Sequence, residues 1–182
     1  MVTRSTFLQL VFASSIIWIF CHAVVGNATE ILKWERLQGF GSPALIEQVN
    51  RDYTSDIAPE SPVDVRQMRA MQISKPDANT LYLVNTRLLG KNPDANPSCG
   101  VSGCLFYGYV RDDRDNRFIQ VFNGYVNDFQ PQKASPIIQV SDRLEHRLPC
   151  LRLTSYKNNF PQPFVTHLCY DGKTYQPVES PK

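Results

Sequence analysis

Leu45, Ile46, Val49 and Tyr53 recur on one face at the spacing of an α-helix. Ser42-Pro43 supplies the start, because a serine hydroxyl accepts from the free amides of a first turn and a proline there gives up no hydrogen bond. The pattern predicts a helix over residues 43–53, ended by the polar run at 55–61. Ahead of it, Leu32, Trp34, Leu37 and Phe40 form a partly apolar lead-in, read as a short helix or as a segment lying across a sheet. Ser61-Pro62-Val63-Asp64 repeats the cap pattern, with Asp64 placed to answer Ser61 as in a capping box. Met71 and Ile73 then alternate, so a helical turn is predicted to pass into a strand near Met68.

Beyond that point the chain reads as sheet. Lys75-Pro76-Asp77-Ala78-Asn79 is turn chemistry, and residues 81–89 follow as a strand. Residues 104–111 and 117–126 are rich in aromatic and β-branched side chains and flank Asp112-Asp113-Arg114-Asp115-Asn116, which predicts a hairpin. Asn123-Gly124 is a competing turn signal: the second strand either ends at Phe122 or runs through with a glycine bulge. Short strands are predicted at 137–140, 148–154, 164–170 and 174–178, separated by proline-bearing loops. The expected class is α+β, with one or two helices near the N-terminus packed on an antiparallel sheet of five to seven strands.

Residues 1–28 change the picture of where the chain works. Arg4 precedes a mostly apolar stretch at 7–21, and small Gly26 and Ala28 stand before Thr29, the pattern of an export signal cut after Ala28. Extended to Val25, the same stretch approaches the lower limit of about 17 residues for a membrane span, so residues 7–25 as an uncleaved anchor are the alternative. Ile19-Phe20 before Cys21 lacks the small residue that lipoprotein processing needs. Residues 29–182 then form a single disulfide-stabilised domain, large enough to bury roughly 68 to 70 per cent of its extended surface. The expected location is periplasmic or secreted, or membrane-anchored with an extracytoplasmic domain. The formal charge is +2, Arg4 included, and the remaining charges alternate in sign, which predicts neither nucleic acid nor an anionic membrane as partner.

Loss of Cys21 with the signal leaves Cys99, Cys104, Cys150 and Cys169, an even set suited to two disulfides in an oxidising compartment. Gly100 and Gly103 allow the short 99–104 segment to turn until its sulfurs meet, and Cys150 and Cys169 sit in strands that can run antiparallel. Pairing 99 with 104 and 150 with 169 is the expectation among three possible connectivities. On the chain-entropy account these loops contribute about 2 and about 3 kcal/mol. Zinc is disfavoured by the nineteen-residue step from Cys150 to Cys169, and a redox-active dithiol by four intervening residues where such motifs carry two. No metal and no cofactor is expected. The Cys99-Gly100-x-x-Gly103-Cys104 loop followed by an aromatic strand resembles a motif of small exported bacterial proteins of unknown function; the likeness spans residues 85–109. It implies an extracytoplasmic bacterial setting and no activity.

Three other groups carry potential chemistry. His146 or His167 would serve a hydrolase as base, with Asp142, Glu145 or Asp171 orienting it and Ser135, Ser141 or Thr166 as nucleophile, yet no nucleophile elbow or ordered triad surrounds them. Asp112, Asp113, Asp115 and Asn116 offer oxygen ligands but lack a calcium hand's glycine and distal glutamate, and Arg111, Arg114 and Arg117 neutralise them. Tyr107, Tyr109 and Tyr125 lie in the most aromatic stretch; Tyr107 and Tyr109 share a strand face and would make good contact residues if that face were open. The sequence therefore predicts an exported, non-enzymatic binding protein of the cell envelope, its partner another envelope protein or an extracellular polymer. An extracytoplasmic hydrolase and a membrane-anchored assembly subunit are the alternatives.

Overall fold

The computed structural model describes residues 33–40, 42–57, 63–88, 96–100, 103–112, 114–127, 137–155 and 163–179, all within one compact unit. Residues 1–28, which carry the pattern of an export signal, and Ser61 and Ser135 lie outside them. None of the described helices is long and apolar enough to cross a membrane.

One α-helix, α1 (Pro43–Asp56), starts where the sequence placed it and continues past the expected end at Tyr53 into the polar run, to Asp56. The Ser42 hydroxyl accepts from the Leu45 amide, proline occupies the first turn, and Leu45, Val49 and Tyr53 are the buried stripe. Two 3-10 turns accompany it, at Leu37–Phe40 and Val65–Gln67. The second runs directly into a strand at Met68, as its alternation predicts. Its described cap is Asp64, which accepts from the Arg66 amide.

Six strands form the first antiparallel sheet: β1 (Glu35–Arg36), β2 (Met68–Ile73), β3 (Leu81–Leu88), β4 (Cys99–Gly100), β5 (Gly103–Asp112) and β6 (Arg117–Val126). β5 is its spine, paired with β3 and β4 along one edge and with β6 along the other. β7 (Ile138–Glu145), β8 (Leu148–Ser155), β9 (Phe164–Tyr170) and β10 (Tyr175–Val178) form a separate four-stranded antiparallel sheet in the order β10-β9-β8-β7. Alternation identifies a strand but not the sheet it joins, so this partition was invisible beforehand.

Two cores flank the first sheet. On one side α1 and the 3-10 turns bury Leu37, Leu45, Val49 and Tyr53 against Val84, Leu105, Tyr107 and Tyr109. On the other, Leu83, Phe106, Val121 and Phe122 meet Ile138, Leu151, Leu168 and Tyr175 of the second sheet. β5 thus sends odd residues to the helix and even ones to the second sheet, which is why Gly103–Val110 is buried without a break.

The strand after the hairpin continues through Asn123-Gly124 to Val126. Its bulge falls at Val121 instead, since Gly108 pairs with Phe122 and Tyr109 with Gln120. A β-carbon on Gly108 would lie 2.7 Å from the Phe122 β-carbon, so the bulged strand presses where β5 has no side chain. The other edge, β7, sets Ser141, Asp142 and Arg143 opposite Cys150 alone, a charged irregularity that blunts strand addition.

Candidate functional site

The three tyrosines singled out from the sequence divide between two environments. Tyr107 and Tyr109 are each 0 % exposed, covered by α1, so they are not contact residues on an open face. That expectation required the sheet to be bare where the apolar stripe of α1 docks. Tyr125, on β6 opposite Leu105, is 56 % exposed at the rim of the same face.

Burial of a phenol is tolerable only if its hydroxyl finds a partner. Tyr109 Oη donates to Asp52 Oδ2 at 2.9 Å and Tyr107 Oη to Asp56 Oδ2 at 3.1 Å, one helical turn apart on α1. β6 reinforces the same two carboxylates: Gln120 Nε2 donates to Asp52 Oδ2 at 3.3 Å and Asn123 Nδ2 to Asp56 Oδ2 at 3.0 Å. Gln48 Nε2 adds bonds of 2.9 and 3.1 Å to Asp52. Burial first, and then the neighbouring carboxylates, push both phenol pKa values far above the ordinary 10.0, so both stay protonated donors. The arrangement clamps the C-terminal half of α1 to the sheet. Asp52 and Asp56 are the residues that sequence reasoning missed; their only signal was two carboxylates four positions apart, on a helix flank next to the buried stripe.

A third tyrosine completes the cluster. Tyr53 is 2 % exposed, and its hydroxyl lies beside Ser98 without reaching hydrogen-bonding geometry. Ser98 spends its own proton on Asn96 Oδ1 at 3.1 Å. Burial raises the Tyr53 hydroxyl above its ordinary 10.0, and Tyr125 adds to this electrostatically.

The cysteines pair as the spacing predicts, Cys99 with Cys104 and Cys150 with Cys169, with Cα–Cα distances of 4.0 and 4.4 Å. Cys99 and Cys104 are directly opposed on β4 and β5. The second bond ties β8 to β9.

Among the described residues the histidines are not assembled into a catalytic group. His146 and His167 make no hydrogen bond to a carboxylate or hydroxyl among the described residues, and His146 packs edge-on against Tyr170 with ring centroids 6.2 Å apart. The carboxylates nominated as their partners have other hydrogen-bond partners, and Asp171, although within electrostatic reach of His146, makes no hydrogen bond to it. Asp142 pairs with Lys75 at 2.7 Å, Glu145 with Arg143 at 2.7 Å, and Asp171 accepts from the Lys173 and Thr174 amides at 2.7 Å each. Those amide bonds hold the Asp171 carboxyl below its usual range. Ser141 Oγ accepts from the Arg143 amide at 3.1 Å, and Thr166 is an exposed β9 residue.

At the hairpin tip Asp112 bonds the Arg114 amide and Asp115 pairs with Arg117. No group of three or more His, Cys, Asp or Glu among the described residues is arranged to hold a metal ion. Compared with protein-family models, curated proteins and solved structures, the chain matches none.

Proposed function

We propose that this chain is an exported binding protein of the cell envelope, working by contact rather than by chemistry, with its contact point at Tyr125. The observation that carries this reading is the 56 % exposure of Tyr125 on a strand whose neighbours are locked in place. The Asn123–Asp56 bond ties β6 to α1, and the Tyr107 and Tyr109 bonds tie the paired β5 to the same helix. A rigid tyrosine of this kind contributes large contact area with little side-chain entropy to lose, while its hydroxyl remains available. The export signal at 1–28 and the two disulfides support a setting outside the cytoplasm. The partner we favour is another envelope protein.

Photocrosslinking from a benzoylphenylalanine at position 125, in cells expressing the full chain, tests this directly. A discrete protein adduct in the envelope fraction is expected at 125 and not at exposed Lys173. Adducts of equal yield at both positions, or none at 125, overturn the reading, and a carbohydrate adduct replaces the protein partner with a polymer. Tyr125→Ala is the matching loss-of-contact variant. The buried Tyr109 is unsuitable, because truncating it removes the clamp on α1.

A further inference from the structure

We infer that the Cys99–Cys104 disulfide is a thiol-exchange site, attacked at the Cys99 sulfur with Cys104 as leaving group, while Cys150–Cys169 is structural. Three observations separate the two bonds. Cys99 alone of the four cysteines is not fully buried; Cys104 is 0 % exposed, and Cys150 and Cys169 are both buried. Attack by a dissolved thiol is therefore directed to the less buried half of this bond, Cys99, which is half-buried at the edge of the core. The Arg87 guanidinium donates from Nε to Cys104 Sγ at 3.4 Å, placing a positive charge on the sulfur that must depart. A neighbouring cation favours the thiolate, and a better-stabilised thiolate leaves faster. Finally, β4 remains attached when the bond opens. The Leu105 amide donates to the Ser98 carbonyl at 3.0 Å and ties the segment to β5, while the Cys99 amide closes a local turn on the Asn96 carbonyl at 3.0 Å, so opening is a local event rather than unfolding.

The reaction balances with a low-molecular-weight thiol as co-reactant. Its thiolate bonds to Cys99 Sγ, the Cys99–Cys104 bond breaks, and the electron pair goes to Cys104, leaving a mixed disulfide on Cys99 and a Cys104 thiolate beside Arg87. A second thiol then attacks the mixed disulfide, releasing the oxidised small molecule and the Cys99 thiolate, a two-electron reduction in all. Cys150–Cys169 lacks this access: it lies between β8 and β9, strands that register along their length, with β10 on the far edge of β9.

The full chain is treated with reduced glutathione, quenched with acid, alkylated with N-ethylmaleimide and mapped by peptide mass. Glutathione is expected on Cys99 and maleimide on Cys104 while Cys150–Cys169 remains intact, with the near-ultraviolet circular dichroism retained. Arg87→Gln is expected to slow the opening about three- to tenfold, and Arg87→Lys to restore part of the rate. As a control on folding, Cys104→Ser is expected to leave a Cys99 thiol that reacts with a disulfide dye in the native protein. Cys99→Ser is expected to leave a Cys104 thiol that reacts only after denaturation. Equal opening of both disulfides, glutathione on Cys104, or an opening rate indifferent to Arg87 overturns the inference.

Discussion

Removing the Tyr109 hydroxyl isolates the energetics of the α1 clamp without opening a cavity. Tyr109→Phe keeps the ring, which is 0 % exposed and contributes to the helix-side core, and deletes only the 2.9 Å bond to Asp52. Hydrogen bonds to charged groups contribute about 1.5–3 kcal/mol net. Asp52 still accepts from Gln48 and Gln120 after the change, which places the expected loss near the low end, about 1–2 kcal/mol. At a urea m-value of about 2 kcal/mol/M this is a midpoint shift of about 0.5–1 M with the slope unchanged. Urea titration followed by far-ultraviolet circular dichroism measures it. The pairwise part is isolated with Asp52→Asn and the double variant, for which a coupling of about 1 kcal/mol or more is expected, since the two groups are in direct contact. A loss below about 0.3 kcal/mol, or strict additivity in the cycle, would refute the claim that this bond fastens the helix.

Alkaline pH attacks the same clamp and, in the second sheet, Tyr175, whose hydroxyl donates to the Pro149 carbonyl. Burial raises Tyr107, Tyr109 and Tyr175 well above the ordinary 10.0, so their stabilisation is complete below pH 10 and declines as pH rises through it, by up to about 1.4 kcal/mol per pH unit per phenol. Tyrosinate absorbance should therefore rise in step with loss of circular dichroism; ionisation of all eight tyrosines in a folded protein would contradict this. Gly103 sits at φ +102° where a β-carbon would come within 2.1 Å of the Val126 carbonyl oxygen, so Gly103→Ala should cost more than about 3 kcal/mol and sharply reduce the yield of soluble, fully oxidised protein. The two-residue turn between β7 and β8 places His146 and Arg147 at φ 48° and 63°, the left-handed pair that Asn-Gly prefers. His146→Asn with Arg147→Gly should stabilise by about 1 kcal/mol in the same urea assay, and a destabilised double variant would mean that these side chains hold the turn.

Much of the architecture was legible because each segment carries its own period. The 3.6-residue spacing of Leu45, Val49 and Tyr53 and the Ser42-Pro43 start were sufficient for α1, and β9 spans the predicted residues 164–170. β5 was legible as a strand but its surroundings were not. A run of buried residues records that both faces are covered, without recording by what. The candidate site failed on that point: Tyr107 and Tyr109 read equally well as a contact face or as a helix's landing surface. The choice lay with Asp52 and Asp56, some fifty residues upstream.

The linear pattern by itself determined the helix and most of the strands and favoured one pairing of the cysteines out of three, because helix period, strand alternation and short loop closure are all local. Tertiary structure alone decided that the last four strands leave the first sheet to cover its far side, that the bulge falls at Val121, and that Tyr125 is the tyrosine left at the surface. It also set Arg87 against Cys104 and left Cys99 as the least buried of the four cysteines, which sets the two disulfides in unequal surroundings. The physical reason is common to all four. Exposure and electrostatic environment are set by what packs from elsewhere in the chain, and residue type and spacing contain no record of that neighbour.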